Sequence, residues 1–164
     1  LWDSGFEDEA DSGSFADADE YLWQFSVKLG YPVTRSEWIK ARRDSMVPSD
    51  EVLDLARKIG NSTRVVIYSD NGPLVKAALD ELFPEAAAIF EERYCSFEFG
   101  AKKPEPQSFA KLLEKLGVSA KEAWFIDDKK SNVKGALMAG LNAHHYRTPD
   151  ALANDARELG FKLN

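Results

Sequence analysis

The sequence has a single cysteine, Cys95. No internal disulfide can form, and the chain is expected in a reducing compartment, the cytoplasm. It has no basic surplus: 21 Lys and Arg face 28 Asp and Glu, a formal net charge of −7. A broad surface for nucleic acid or for an anionic membrane is therefore not expected. A small phosphorylated substrate remains compatible with that charge, because one local cation or a metal can hold it. No apolar run is long enough to span a bilayer. Internal repeats and low-complexity linkers are absent, and the first residue is Leu1 rather than Met. Nothing in the composition specifies an oligomeric state. What remains, 164 residues with 44% hydrophobic and 30% charged, suits one well-formed core with a small appendage.

The first third reads as helical and aromatic. Asp17 and Glu20 form an N-terminal capping pattern, Tyr21, Leu22, Phe25 and Leu29 follow at helical spacing, and Gly30 closes the helix. Thr34 and Glu37 repeat the capping signature before Trp38 and Ile39, which are expected to face inward. Leu1, Trp2 and Phe6 suit one side of a short helix; Trp2, Trp23 and Trp38 read as core of the whole helical third, and Glu7 to Asp19 as a solvated acidic face. Past Met46-Val47-Pro48 the texture changes. Helical patterns then alternate with short apolar runs at 64–68, 94–99, 124–126 and 143–146. Such alternation predicts an α/β fold, a parallel sheet covered by helices on both faces. The domain boundary is expected at Met46 to Ser49, with residues 1–48 as a small helical domain and 49–164 as the α/β core.

The chain is organised around Trp124-Phe125-Ile126-Asp127-Asp128, an apolar run that stops on two adjacent carboxylates. Open α/β sheets bind ligands at the carboxyl ends of their strands. Paired carboxylates repel, a cost that a cation such as Mg2+ offsets; an acidic strand end without metal is the plainer alternative. Ser69 ends an earlier strand and is followed by Asp70-Asn71-Gly72 and a helix. Its hydroxyl and the nearby backbone N–H groups suit a phosphate oxygen, or it serves only as a helix cap. Lys103 precedes Pro104, whose ring restricts the backbone, so this lysine is aimed, whereas Lys102 reads as a surface residue.

Ser69 at a strand end, then Lys103-Pro104, then Ile126-Asp127-Asp128 with Asn132, resembles the second, third and fourth motifs of the haloacid dehalogenase superfamily of hydrolases. The phosphatase branches nearest in pattern are the glucose-1-phosphate phosphatase and epoxide-hydrolase amino-terminal-domain types. The resemblance implies a Rossmann-like core over residues 49–164, with residues 1–48 as the end of a helical cap. It implies a Mg2+-dependent phosphatase of a small phosphorylated metabolite. Ser69, with backbone at Asp70 and Asn71, would bind the phosphoryl group, although many relatives carry Asn where Asp70 stands. Lys103 would stabilise the nucleophile and the phosphoryl charge. Asp128 would bind Mg2+ directly, Asp127 would lie close by and act through water in the family pattern, and Asn132 would orient the acidic turn.

The same resemblance implies a first motif, an apolar strand ending in Asp-x-Asp, whose first Asp becomes an aspartyl-phosphate. No such strand is found in this sequence. The expectation is therefore an enzyme whose first roughly two to three dozen residues are absent, inactive as written, with a missing central strand and exposed sheet edges. A metal-independent 2-haloacid dehalogenase is an alternative, against which the Asp127-Asp128 pair argues; a non-catalytic binding protein of the same fold is another. His144 and His145, neighbours on a strand, should point to opposite faces in structural roles. Cys95 reads as a small packed hydrophobe, and Arg42 and Arg43 as partners of the negative end of their helix, with one of them reaching substrate from the cap as the less favoured alternative.

Overall fold

A computed structural model describes residues 5–163, so the inward roles expected of Leu1 and Trp2 lie outside the described residues. The chain forms two compact units. The first takes the residues up to Ser49 together with Val66–Gly100; the second takes Asp50–Val65 and the residues from Ala101 onward.

In the first unit three helices precede a strand–helix–strand segment. They are α1 (Phe6–Asp11), α2 (Ala18–Leu29) and α3 (Arg35–Asp44). The Asp17 carboxylate caps α2 by accepting from the N–H groups of Asp19 and Glu20, at 3.0 and 2.9 Å. Gly30 ends the helix at φ 68°, a left-handed conformation that glycine adopts without a Cβ penalty. The Thr34/Glu37 capping box opens α3 as the sequence predicts. β1 (Val66–Ser69), α5 (Pro73–Leu82), a short α6 (Pro84–Ala87) and β2 (Glu92–Cys95) follow. β1 and β2 are parallel, with Ser69 opposite Cys95.

Phe6, Phe15, Tyr21 and Trp38 pack with Leu74, Val75, Ala78 and Leu82 of α5 into the core of this unit. The rings of Phe6 and Phe15 lie 5.0 Å apart, and Tyr21 meets Trp38 edge-on at 5.9 Å. Several expectations change here. Trp23 is 62% exposed, because Tyr21, Leu22 and Phe25 take the inward face of α2 and Trp23 falls off that stripe. Leu29, in the last turn, is exposed as well. The stretch Glu7 to Asp19 is more than a solvated face: it buries Ala10 and Phe15, and Glu7 accepts from the Tyr21 hydroxyl at 2.9 Å. The strand expected at 94–99 runs instead over Glu92–Cys95. Ser96–Phe99 winds into a 3-10 turn, because the Glu98 carboxylate accepts from Cys95 N–H at 2.7 Å and folds the chain back.

The second unit contains α4 (Asp50–Gly60), α7 (Pro106–Leu116), β3 (Trp124–Asp127), α8 (Lys130–Met138), β4 (Asn142–His145) and α9 (Pro149–Glu158). β3 and β4 are parallel, with Asp127 opposite His145. Phe109 of α7 is fully buried and meets Phe125 edge-on at 5.0 Å. Leu152 and Ala153 of α9 pack with Leu55 of α4 beside Trp124 and Tyr146. The Thr148 hydroxyl caps α9, and Leu159 lies just past its end and is exposed.

The alternation of helices and parallel strands expected from the sequence is present, and the fold is α/β. The four described strands pair as two two-stranded parallel sheets, β1 with β2 and β3 with β4. β1 and β3 therefore each have one hydrogen-bonded neighbour among the described residues, and Ile126 on β3 is 37% exposed. Among the described residues no helix is long and apolar enough to cross a membrane.

Candidate active site

In the first unit the candidate residues lie in the turn after β1. Ser69 is the last residue of the strand, and α5 begins four residues later with Pro73 in its first turn. Gly72, not Ser69 or Asp70, occupies the N-cap, and it has no side chain with which to cap. The cap alternative for Ser69 is therefore not realised. Its hydroxyl accepts from the Asn71 side-chain amide at 2.5 Å. The Asn71 carbonyl oxygen in turn accepts from Arg42 Nη2 at 3.2 Å. Arg42 thus reaches from the last turn of α3 to the strand-end turn, a contact beyond the helix-end role read from the sequence. Asp70 lies between Ser69 and Asn71 and is half-buried. Glycine at 72 also allows a close approach: a Cβ there would stand 2.8 Å from that of Ala10.

In the second unit the candidate residues lie in and around the turn after β3. Lys103 and Asp127 form an ion pair at 3.2 Å, and their side chains are only 7% and 10% exposed. Removing such groups from water is costly, so a pair of this kind requires further donors to its carboxylate. They are present. Asn132 Nδ2 lies 3.1 Å from both Asp127 oxygens, and Lys129 N–H donates to Oδ1 at 2.8 Å. Lys103 also lies over the Phe125 ring, 5.7 Å from its centroid. The Lys103–Pro104 peptide bond is cis. Behind it α8 comes so close that a Cβ on Gly135 would stand 2.0 Å from the Pro104 carbonyl oxygen.

Asp128 is exposed, and its side chain takes no part in that cluster. Its backbone carbonyl accepts from His145 Nε2 at 2.9 Å. His144 points the other way, pairing through Nδ1 with Asp155 of α9, so the two histidines do face opposite sides of β4. The sequence reading missed the contacts of Arg42 and His145 and the packing of Gly135. Only the His145 contact left a trace in the sequence, through the alternation of strand faces.

Lys103, Asp127 and Asn132 are thus brought together in one unit, beside Asp128; Ser69 and Asn71 are brought together in the other. A family model of haloacid dehalogenase-like hydrolases matches residues 8–140, and the chain belongs to that family. It is 34% identical over 78 residues to a flavin mononucleotide hydrolase of Arabidopsis thaliana, covering 48% of this chain and 32% of that protein. It is 30% identical over 140 residues to a phosphatase of Mycobacterium tuberculosis, covering 82% of this chain and 56% of the relative. The chain therefore spans about a third to somewhat over half the length of these two relatives. A HAD family enzyme of Bacteroides thetaiotaomicron, solved in complex with magnesium and inorganic phosphate, superimposes with a TM-score of 0.71. It shares 25% identity, over 85% of this chain and 73% of that one.

Proposed function

We propose that the protein is a Mg2+-dependent phosphomonoester hydrolase acting on a small phosphorylated metabolite in a reducing compartment, the cytoplasm. The observation that carries this reading is the buried Lys103–Asp127 pair, saturated by Asn132 and Lys129, immediately before the exposed Asp128. The phosphatase relatives and the magnesium- and phosphate-bound structural relative support it. In this reading residues 1–48 act as a cap on a core built from 49–164, and the attacking carboxylate belongs to a strand outside these residues.

The residues suit a Mg2+ ion. Asp127 already receives three donors, which leaves the Asp128 carboxylate as the group open to a cation. Among the described residues no three His, Cys, Asp or Glu side chains converge as a metal cage. Magnesium does not need one: it commonly takes one or two carboxylates and completes its shell with water and substrate phosphate. When bound it would offset the charge of the phosphoryl oxygens. Ser69 donates its hydroxyl proton to a phosphoryl oxygen. Lys103 presents an ammonium to the developing negative charge, and Asp127 fixes where that ammonium points. Asn132 and the Lys129 N–H hold Asp127 in that orientation.

The test uses the full-length protein with p-nitrophenyl phosphate, with Mg2+ and with chelator. Asp128→Ala should lower Mg2+-dependent turnover by about a hundredfold or more, as expected for loss of a metal-bound electrostatic contribution. Undiminished turnover would remove the metal assignment. Chloride release from a 2-haloacid without Mg2+ would favour the dehalogenase instead.

A further inference from the structure

We infer that Arg42 is a positioning residue that sets the direction of the Ser69 hydroxyl proton by acting through Asn71. The inference rests on the reading of Ser69 as a phosphate ligand. A guanidinium has donors and no acceptor, so the Asn71 group facing Arg42 must be the amide oxygen. The 3.2 Å contact from Arg42 Nη2 to Asn71 Oδ1 has that polarity. The other end of the same amide, Nδ2, then has to face Ser69, and it donates to Oγ at 2.5 Å. A hydroxyl that accepts from this side keeps its own proton for another acceptor. A phosphoryl oxygen is such an acceptor.

Without Arg42 the amide could turn over. Its oxygen would then face Ser69 and accept the proton the substrate needs. Arg42 is well placed to prevent this. It sits half-buried in the last turn of α3, the helix anchored by buried Trp38, and its carbonyl accepts from the Ser45 hydroxyl at 2.7 Å. The helical segment thereby acts on hydroxyl polarity in the strand-end turn without requiring Arg42 to touch substrate.

The decisive experiment combines a double-mutant cycle in the full-length protein with the side-chain amide spectrum of Asn71. Arg42→Met should lower kcat/KM for p-nitrophenyl phosphate about tenfold, the scale of one misdirected hydrogen bond. Asn71→Ala should do the same, and the double variant should be no worse than Asn71→Ala alone. Arg42→Lys, which keeps a donor-only cation, should retain most of the activity. In 15N-labelled protein the Asn71 amide resonances should move in Arg42→Met and stay near their original positions in Arg42→Lys. Additive losses in the cycle, or an Asn71 amide indifferent to Arg42→Met, would overturn the relay. If the unmodified protein neither hydrolyses phosphate esters nor binds inorganic phosphate, the phosphatase reading fails. The amide spectrum then decides the Arg42–Asn71 contact by itself.

Discussion

The turn after β1 and the turn after β3 begin alike: a parallel strand stops on a polar residue and a helix starts within a few positions. They are held differently. After β3 the polar residue is an acid, and two of its donors come from its own turn, Lys129 N–H and Asn132, with Lys103 added from a distant loop. After β1 the Ser69 hydroxyl meets Asn71 two residues on, and that amide is oriented by an arginine from another helix. The first arrangement is buried and saturated, while the second is half-buried and leaves a hydroxyl proton to spare. A buried charge pair binds a turn to the stability of its unit; a neutral relay places a proton at little structural cost.

The largest expected effect tests the buried pair. Lys103→Met leaves Asp127 charged and without its cation, and should destabilise the second unit by about 3 kcal/mol in urea unfolding. Adding Asp127→Asn to that variant should recover part of the loss. A cost below about 1 kcal/mol would mean that the pair behaves like a surface ion pair, and the contrast between the two turns would collapse. By comparison, Arg42→Met should change stability by only about 1 kcal/mol or less, the scale of a single hydrogen bond.

Next in size is Gly135→Ala. The added methyl meets the Pro104 carbonyl, which belongs to the backbone and cannot turn aside. Overpacking of this kind costs about 1–3 kcal/mol. It should also displace Lys103 and lower activity more than stability, a split visible by comparing kcat with the thermal midpoint. Alanine tolerated on both measures would show that α8 can retreat from the lysine loop.

At neutral pH the smallest effect concerns the first unit, and it emerges only as the pH is raised. Burial, reinforced by Glu98, Asp11 and Asp70 and opposed by Lys76, pushes the Cys95 thiol up to about 12. In the unfolded chain a thiol titrates near 8.5. Between those values the folded chain keeps a proton that the unfolded chain loses, so stability is full below about pH 8.5 and falls as pH rises toward 12, by up to about 1.4 kcal/mol per pH unit. Cys95→Ala should flatten the lower part of that slope, leaving the contribution of Tyr21, whose hydroxyl is also held protonated by burial and by Glu7. Rapid alkylation of the native thiol at pH 8 would contradict this account.

Much of the helix pattern was legible because its signals are local. Asp17 with Gly30 and Thr34 with Glu37 are signals of this kind, and each appears where the residues place it. The apolar runs at β1, β3 and β4 were legible for the same reason, with ends shifted by a residue or two. Trp23 was misread because hydrophobicity states a preference for burial but not which side of a helix meets a partner. The 3-10 turn at Ser96–Phe99 was missed because one carboxylate, Glu98, overrode a strand-like composition. At the candidate site, residue types and order pointed to Ser69, Lys103 and the Asp127-Asp128 pair. The amide polarity imposed by Arg42, the His145 contact and the space required at Gly135 depend on residues far apart in the chain.

By itself the sequence determined the order of helices and strands, the helix caps and the chemical character of the strand ends, since these follow from backbone preferences and side-chain contacts within a few residues. The tertiary structure alone decided that Asp127 would be enclosed with Lys103 while Asp128 stayed exposed, and that Asn71 would turn its nitrogen toward Ser69. Burial and hydrogen-bond polarity are properties of what surrounds a group. Those surroundings come from segments the chain brings together only on folding.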